Sequence, residues 1–428
     1  MNHLLKGGRV IDPESGIDEV LDIYIEGDRI KRIGKNLKVR AKVINLRGKV
    51  VGPGFIDLHT HLREPGREDE ETISSGTLAG AKGGYTSLCS MPNTEPPCDS
   101  VSGVKFITTT AKQQGVIRVF PVGAITIGRK GEILTEIGKM KKSGIVAITD
   151  DGSSVMNSLV MRRAMEYAKM FDIFVISHPE DVNLSKNGVM NEGVVSAKLG
   201  LRGIPRQAEE VMVARDIFLA ELTGCHLHLA HITTEKSVEL VRSAKKKGLK
   251  VTCEVTPHHI SLTEEDVIGY DTNCKMNPPL RTEKDRRALI KGVKDGTIDV
   301  ISTDHAPHLD TEKEREFDLA PFGVIGLETS LSVVLEFLYR KREISLSDVF
   351  KIMSLNPARI LKNNDIGRIQ VGKFADIVVI DLDKECLITK DFFVSKSKNS
   401  PYIGRKLRGF PVLTICGGRI VWKSQGFS

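Results

Sequence analysis

The stretch GFIDLHTHLREPG, residues 54–66, begins with a short apolar run and continues through His59, His61 and Arg63. In a β-strand, residues two apart lie on the same face, so the two imidazoles would point to one place. Imidazole nitrogens and carboxylate oxygens suit zinc and similar divalent ions. Two histidines at this spacing are, on their own, weak evidence for a metal site. Further ligand-type residues elsewhere in the chain are needed to support one.

Along the middle of the chain, short β-branched runs alternate with stretches of helical periodicity. Strands that are apolar on both faces and alternate with helices predict a parallel sheet. Eight such units over about 250 residues favour an α/β fold of the closed (β/α)8 TIM-barrel type. The predicted strands are 54–59, 85–91, 117–124, 144–150, 173–178, 226–231, 250–256 and 299–304, and the amphipathic segments include 101–115, 157–170, 205–222, 234–247 and 283–294.

The two ends of the chain have a different pattern. Residues 1–52 and 364–428 contain short alternating strands with glycine turns, such as DIYIEGDRIKRIG and GKFADIVVIDLD. These segments predict one small β-sandwich domain, built from both termini beside a barrel domain at 53–363. Residues 345–363 are expected to form the last helical segment before the sandwich resumes.

Ligand-type residues gather at the ends of the predicted strands. The carboxyl ends of barrel strands all face one mouth, so residues far apart in sequence would converge there. Six ligands are too many for one tetrahedral ion and suit two ions that share a carboxylate. The six are His59, His61, Asp151, His178, His231 and Asp304. His226 and His228 precede the end of their strand and are interpreted as structural or supporting residues, while His258 and His259 stay open.

Each of these residues also has an ordinary structural explanation. Asp151 in TDDG is typical of a turn or a helix cap, and His178 alone would fit a hydrogen-bonded core histidine. Arg63 would fit a surface arginine, and Asn93 next to a proline would fit a turn cap. Only the joint placement of six ligand-type residues at strand ends favours a metal centre.

Composition excludes several classes of function. The net charge of +7 over 428 residues is mild and without a long basic run, so nucleic-acid binding is not expected. A slightly basic surface favours small anionic substrates. Seven dispersed cysteines without a CxxC pair, and a start with no signal peptide, are typical of the reducing cytoplasm. No stretch approaches the roughly 18 apolar residues of a membrane span.

Seven motifs, in order along the chain, carry a resemblance to a known family. They are PGFIDLHTHLREPG, MPNTEPP, TDDG, HLAHITT, VTPHH, NPPLR and STDHAPH. Together they resemble the dihydroorotases, type I, of the amidohydrolase superfamily, whose fold is a metal-bearing barrel beside a small sandwich. The resemblance implies the zinc-dependent, reversible cyclisation of N-carbamoyl-L-aspartate to (S)-dihydroorotate in the synthesis of UMP. A metal-bound hydroxide is the implied nucleophile of the hydrolytic direction.

The resemblance also implies roles for individual residues. His59 and His61 would bind one Zn²⁺, His178 and His231 a second, and Asp151 would bridge the two. Asp304 would bind the first ion and act as general acid and base. The implied substrate contacts are His61, Arg63, Asn93, Asn277, His308, Phe322 and Gly323.

One departure separates subgroups of this superfamily. Many relatives bridge their ions with a carbamylated lysine on the fourth strand, but here Asp151 takes that place, and Lys141 and Lys142 lie before the strand. This difference argues against a hydantoinase or an allantoinase, and it leaves the occupancy of the second metal position open.

In a competing interpretation, the chain has no activity and serves only as a structural partner of aspartate carbamoyltransferase. All six ligand positions are filled in this sequence, which favours catalysis. A homo-oligomer and a complex with that enzyme are both expected. The charged segment 308–323 is expected to be a mobile lid over the mouth.

Overall fold

The computed structural model describes residues 2–427 and contains a barrel flanked by a sheet from both chain ends. Five strands precede the barrel. They follow the alternating pattern of the first 52 residues, and their bounds are β1 (His3–Asp12), β2 (Ile17–Glu26), β3 (Arg29–Gly34), β4 (Lys42–Asn45) and β5 (Val50–Pro53).

The barrel strands begin directly after this segment. Each of the eight runs expected to be a strand contains one, and a separate two-stranded excursion lies between the fifth and the sixth. In chain order the strands are β6 (Phe55–Thr60), β7 (Tyr85–Ser90), β8 (Arg118–Pro121), β9 (Ala147–Ile148), β10 (Phe174–Ser177), the excursion β11 (Met190–Asn191) and β12 (Gly203–Ile204), then β13 (Leu227–Leu229), β14 (Val251–Val255) and β15 (Val300–Ile301).

Thirteen α-helices lie among residues 2–427, and the five amphipathic segments expected from sequence are all helical. Two π-helical turns, Leu335–Tyr339 and Lys351–Leu355, continue α11 and α12. The helices are α1 (Ile73–Lys82), α2 (Val101–Gln114), α3 (Ile137–Ser143), α4 (Ser158–Met170), α5 (Val194–Leu199), α6 (Gln207–Thr223), α7 (Glu235–Lys246), α8 (Pro257–Ser261), α9 (Glu283–Lys294), α10 (Asp310–Lys313), α11 (Ser330–Val334), α12 (Leu346–Phe350) and α13 (Asn356–Ile360). No helix in this part of the chain is both long enough and apolar enough to cross a membrane.

Parallel pairing closes the barrel. The strands β6, β7 and β8 form one parallel set, and β9, β10, β13, β14 and β15 form another. Two isolated parallel bridges, Gly123 to Ile148 and Thr60 to His305, join the sets at both seams. The result is the eight-stranded (β/α)8 barrel that the alternation of strands and helices predicts.

The alternation of side chains shows which faces of the strands look inward. On β10, Val175 packs into the core shared with the surrounding helices, whereas Phe174 and Ile176 belong to a separate core. Because successive strand residues point to opposite faces, that second core fills the barrel interior. His178 continues the inward-facing series one residue after β10 ends.

The last three strands return to the sheet that the N-terminus began. They are β16 (Ile377–Leu387), β17 (Lys406–Cys416) and β18 (Arg419–Lys423), and the sheet order is β18-β17-β16-β5-β1-β2-β3, with β4 beside β1. This sheet encloses its own aliphatic core, to which both termini contribute. The division into domains at 1–52, 53–363 and 364–428 stays a prediction; β5 lies in the terminal sheet, and β6 begins two residues later.

Candidate metal centre

All six expected ligand residues lie at the carboxyl ends of barrel strands. His59 is within β6 and His61 follows it, and the other four lie within three residues after a strand. Parallel strands present their carboxyl ends at one mouth of the barrel, so the six side chains meet there. None of the six is more than 7% exposed: His59, His61, Asp151, His178, His231 and Asp304.

The first half of the cluster joins β6 to two carboxylates. His59 Nε2 lies 3.3 Å from Asp151 Oδ1 and 3.5 Å from Asp304 Oδ1. His61 Nε2 lies 3.5 Å from Asp151 Oδ2 and 3.1 Å from Asp304 Oδ1. The two imidazoles and the two carboxylates therefore surround one point.

The second half of the cluster lies on the other side of Asp151. His178 Nδ1 is 3.5 Å and His231 Nε2 is 3.8 Å from Asp151 Oδ1. The two imidazole nitrogens lie 2.9 Å from each other. Asp151 thus belongs to two groups of donor atoms, one with His59 and His61 and one with His178 and His231, each within 4.8 Å.

The donor set fits divalent cations. Two ligands of one tetrahedral zinc ion, each bound at about 2.0–2.1 Å, lie roughly 3.3 Å apart, which is close to the spacing observed around Asp151. His59 Nε2 and Asp151 Oδ1 are buried and have no hydrogen-bond partner within the protein. Buried polar atoms are rarely left unpaired, so these two orphaned atoms are explained by a cation as their partner.

The electrostatics of the cluster also favour a cation. Burial alone would lower the pKa of His59, but the carboxylates of Asp151, Asp304 and Glu254 outweigh it and raise that pKa well above its ordinary value. Burial opposes charge on Asp151 and Asp304 as well, yet neighbouring imidazoles hold the pKa of each carboxyl below its usual range. Both carboxylates are therefore ionised at neutral pH and can act as ligands of a cation.

Three site residues adopt left-handed backbone conformations. The φ angles are +61° at Arg63, +29° at His231 and +47° at Asp304. A non-glycine residue in this region costs roughly 1–2 kcal/mol, and such conformations persist mainly where the surrounding structure enforces them, often at functional sites. Here they turn side chains at strand ends toward the barrel mouth.

Two supporting contacts orient the histidines of the first group. Glu254, on β14, accepts a hydrogen bond from His59 Nδ1 at 2.7 Å, and Asn93 Oδ1 accepts one from His61 Nδ1 at 2.7 Å. Each contact leaves the Nε2 atom free to face the carboxylates. No role was expected for Glu254 from sequence. Asn93 was expected to contact substrate, and in the structure its side-chain oxygen contacts His61.

A second carboxylate that the sequence analysis missed supports His178. Glu180 Oε2 lies 2.9 Å from His178 Nε2 and accepts a hydrogen bond from Asn277 Nδ2 at 2.8 Å. Against the effect of burial, Asp151 and Glu180 raise the pKa of His178 to about 10. Asn277 therefore reaches the site through Glu180 in this structure.

Arg63 lies at the barrel mouth, beside the loop that follows β15. Its Nε donates to the Pro307 carbonyl at 3.1 Å and lies 2.9 Å from Glu70 Oε2, and its side chain is 12% exposed. His308 lies 3.2 Å from the same guanidinium and 3.0 Å from Glu70 Oε1. Arg63 and His308 thus lie side by side and are held by one buried carboxylate.

Phe322 and Gly323 end the segment that was expected to be a lid. The Phe322 carbonyl lies 2.8 Å from His308 Nε2, and the Gly323 amide donates to the Lys275 carbonyl at 3.0 Å. The buried Lys313 ammonium donates to the Gly323 carbonyl at 3.1 Å. The segment therefore lies against the site and is anchored by Lys313, while its mobility stays a prediction.

The fold has clear counterparts among solved structures. The L-hydantoinase (dihydropyrimidinase) from Arthrobacter aurescens superposes with a TM-score of 0.90, covering 100% of this chain and 97% of that one at 24% identity. A dihydropyrimidinase from Brevibacillus agri gives a TM-score of 0.88 at 22% identity, covering 100% and 96%. Identities this low establish the shared fold alone.

Sequence comparison is more specific. Residues 48–237 match the family model described as dihydro-orotase-like, and residues 322–422 match that of the amidohydrolase family. A dihydroorotase from Endomicrobium trichonymphae is 52% identical over 98% of this chain and 99% of its own length. One from Geobacter metallireducens is 51% identical over 99% and 100%. The chain therefore belongs to the dihydroorotase family of the amidohydrolases.

Proposed function

We propose that the protein is a dihydroorotase that interconverts N-carbamoyl-L-aspartate and (S)-dihydroorotate in pyrimidine biosynthesis. The observation that carries this proposal is the identity of about 50% with dihydroorotases over the full chain. The cluster of six buried donors at the barrel mouth supports a metal-dependent cyclic amidohydrolase. The hydantoinase structures are similar at only 22–24% identity, and the fold is common to both activities.

We infer that His59, His61 and Asp304 hold one Zn²⁺, that His178 and His231 hold a second, and that Asp151 contributes to both. Nitrogen and carboxylate donors at the observed spacings support zinc over magnesium or calcium, which prefer all-oxygen sites. Divalent ions bound there would activate a water molecule and polarise the substrate carbonyl.

Asp304 is the best candidate for the proton-transferring group. Its carboxyl is 7% exposed and lies 3.1 Å from His61 Nε2. Because neighbouring imidazoles keep its pKa low against the effect of burial, Asp304 is a carboxylate at neutral pH, the form that a general base requires. In ring opening it would take a proton from the attacking water and return it to the ring nitrogen; ring closure reverses these transfers.

Arg63, with its neighbours, is the best candidate for recognising the substrate carboxylate. The Pro307 carbonyl and Glu70 hold the guanidinium in place at the mouth. A guanidinium matches a carboxylate with two parallel hydrogen bonds. We propose that Asn93, Asn277, His308, Phe322 and Gly323 complete the substrate pocket, together with His61.

The proposal extends to assembly and location. Large apolar side chains are exposed on the adjacent helices α4 and α6, among them Met170 at 73% and Phe218 at 65%, and they support a homo-oligomer. The resemblance to type I members supports a complex with aspartate carbamoyltransferase. Seven dispersed cysteines support a cytoplasmic location. Light scattering of the protein alone and mixed with the carbamoyltransferase tests the first two points, and fractionation of cells tests the third.

The activity itself is tested with purified protein of measured metal content. Hydrolysis of dihydroorotate and cyclisation of N-carbamoyl-L-aspartate are assayed beside hydantoin and allantoin, with and without aspartate carbamoyltransferase. The proposal predicts turnover of the first two compounds in the presence of bound zinc. Preferential turnover of hydantoin, or no turnover by zinc-loaded protein under either condition, would reject it.

A further inference from the structure

Four side chains continue from the ligand His59 down the inside of the barrel. Glu254 Oε1 lies 2.7 Å from His59 Nδ1, and Glu254 Oε2 lies 3.1 Å from His228 Nε2. Thr252 Oγ1 lies 2.9 Å from His228 Nδ1 and 2.9 Å from His226 Nε2. These contacts form one unbroken chain of hydrogen bonds across the strands β6, β14 and β13.

The chain lies on the inward faces of its strands. On β13 and β14, Leu227, Leu229 and Cys253 pack into the core shared with the outer helices, so their neighbours His228 and Glu254 face the interior. His228 is fully buried and Glu254 is 1% exposed. A buried carboxylate and a buried imidazole each need a hydrogen-bond partner, and here each is a partner of the other.

The chemistry of the partners gives one consistent set of directions for these hydrogen bonds. An ionised carboxylate only accepts, so His59 donates from Nδ1 and His228 donates from Nε2. The His228 tautomer that is protonated at Nε2 accepts at Nδ1, and the Thr252 hydroxyl is its donor. Thr252 in turn accepts from His226 Nε2. Every donor meets an acceptor, and His59 Nε2, which lies 3.3 Å from Asp151 Oδ1 and 3.5 Å from Asp304 Oδ1, is the ring nitrogen available to a cation.

We propose that Glu254, His228 and Thr252 are positioning residues that fix the tautomer and the ring orientation of His59 and thereby strengthen metal binding. The inference rests on the proposed metal-dependent function. Carboxylates that orient ligand histidines typically contribute 10–100-fold to metal affinity. The network extends beyond the carboxylate, because the Thr252 hydroxyl, on the next layer of the barrel, sets the protonation pattern of His59 through His228 and Glu254.

The test measures the dissociation constant of Zn²⁺ by competition with a chelating indicator, in purified full-length protein. Glu254→Gln is expected to weaken Zn²⁺ binding about 10–100-fold, because a glutamine oxygen can accept from only one of the two imidazoles. Thr252→Val removes the hydroxyl at nearly constant shape and is expected to weaken binding about tenfold, whereas Thr252→Ser retains the hydroxyl and is expected to bind within about threefold of wild type.

A matched control separates this effect from the loss of any buried hydroxyl. Thr414 on β17 is fully buried and donates only to the Ala81 carbonyl, away from the site. Thr414→Val is therefore expected to leave Zn²⁺ affinity unchanged. Circular dichroism confirms that each variant is folded, and the nitrogen-15 spectrum of labelled histidine reports whether His59 keeps its Nδ1 proton.

The outcomes distinguish this inference from the proposed function. Unchanged Zn²⁺ affinity in Glu254→Gln, or equal affinities in Thr252→Val and Thr252→Ser, would overturn the positioning network while leaving a zinc-dependent dihydroorotase intact. A wild-type protein that turns over dihydroorotate without binding Zn²⁺ or another divalent ion would overturn the metal-dependent function itself.

Discussion

Replacing Asp304 with asparagine tests the proposed proton transfer with the smallest change of shape. Asparagine has nearly the size of aspartate, so the left-handed backbone at +47° and the contact 3.1 Å from His61 Nε2 can both remain. What disappears is a negative charge and the ability to accept a proton. The donors His178, His231 and Asp151 are untouched, so at least one ion is expected to stay bound.

The expected loss of activity follows from the two roles of this carboxylate. General acid–base catalysis is worth typically 10²–10⁴-fold. Asp304 would serve both proton transfers of one turnover, so we expect the upper end, a decrease in kcat of about 10⁴-fold. At 1.36 kcal/mol for each factor of ten, this decrease is a rise of about 5 kcal/mol in the activation barrier.

The assay follows the hydrolysis of dihydroorotate at saturating substrate, with the zinc content of each sample measured in parallel. Asp172→Asn is the control, because Asp172 carries a side chain 83% exposed that pairs with Lys362 away from the barrel mouth. The control is expected to keep full activity. An Asp304→Asn variant that keeps its zinc and works within tenfold of wild type would refute the assigned role.

The remaining predictions concern substrate binding, the metal and the packing. Arg63→Ala is expected to lower kcat/KM for dihydroorotate about 10²–10³-fold, mostly through KM, since two charged hydrogen bonds are lost; unchanged KM with depleted zinc would reverse the assignment. Dialysis against a chelator is expected to abolish turnover, and added Zn²⁺ to restore it; full activity of verified metal-free protein would contradict the mechanism. Gly52→Ala would place a Cβ 2.2 Å from the Phe350 ring and is expected to lower the free energy of unfolding by about 1–3 kcal/mol in denaturant titrations. Gly34→Ala, whose Cβ would lie 3.5 Å from the Leu37 side chain, is the control expected within about 0.5 kcal/mol; equal effects would refute the packing argument.

The barrel could be predicted from sequence because its strands are buried on both faces. Such strands are continuous apolar runs, and the amphipathic stretches between them have helical periodicity. The extent of the strands was harder to predict. The run 144–150 forms only the two-residue β9 (Ala147–Ile148), and the chain has left the sheet before it reaches Asp151. The excursion β11–β12 had no pattern that the sequence analysis detected.

The convergence of the six proposed ligands could be anticipated because they lie at the ends of five strands of one barrel. The supporting carboxylates could not be assigned in the same way, since their partners depend on three-dimensional contacts. Glu254 did give a signal: a glutamate inside a strand buried on both faces must find a donor. Glu180 gave none, and neither did the left-handed backbone at Arg63 and Asp304, which depends on three-dimensional contacts rather than on residue type.

The most direct test of the central claim is the anomalous X-ray signal of zinc in crystals of the active protein. The metal assignment predicts peaks about 2.0–2.2 Å from the donor atoms of His59, His61 and Asp304, and of His178 and His231, with Asp151 beside both groups. Zinc bound only elsewhere in the molecule, in crystals of protein that turns over dihydroorotate, would contradict it.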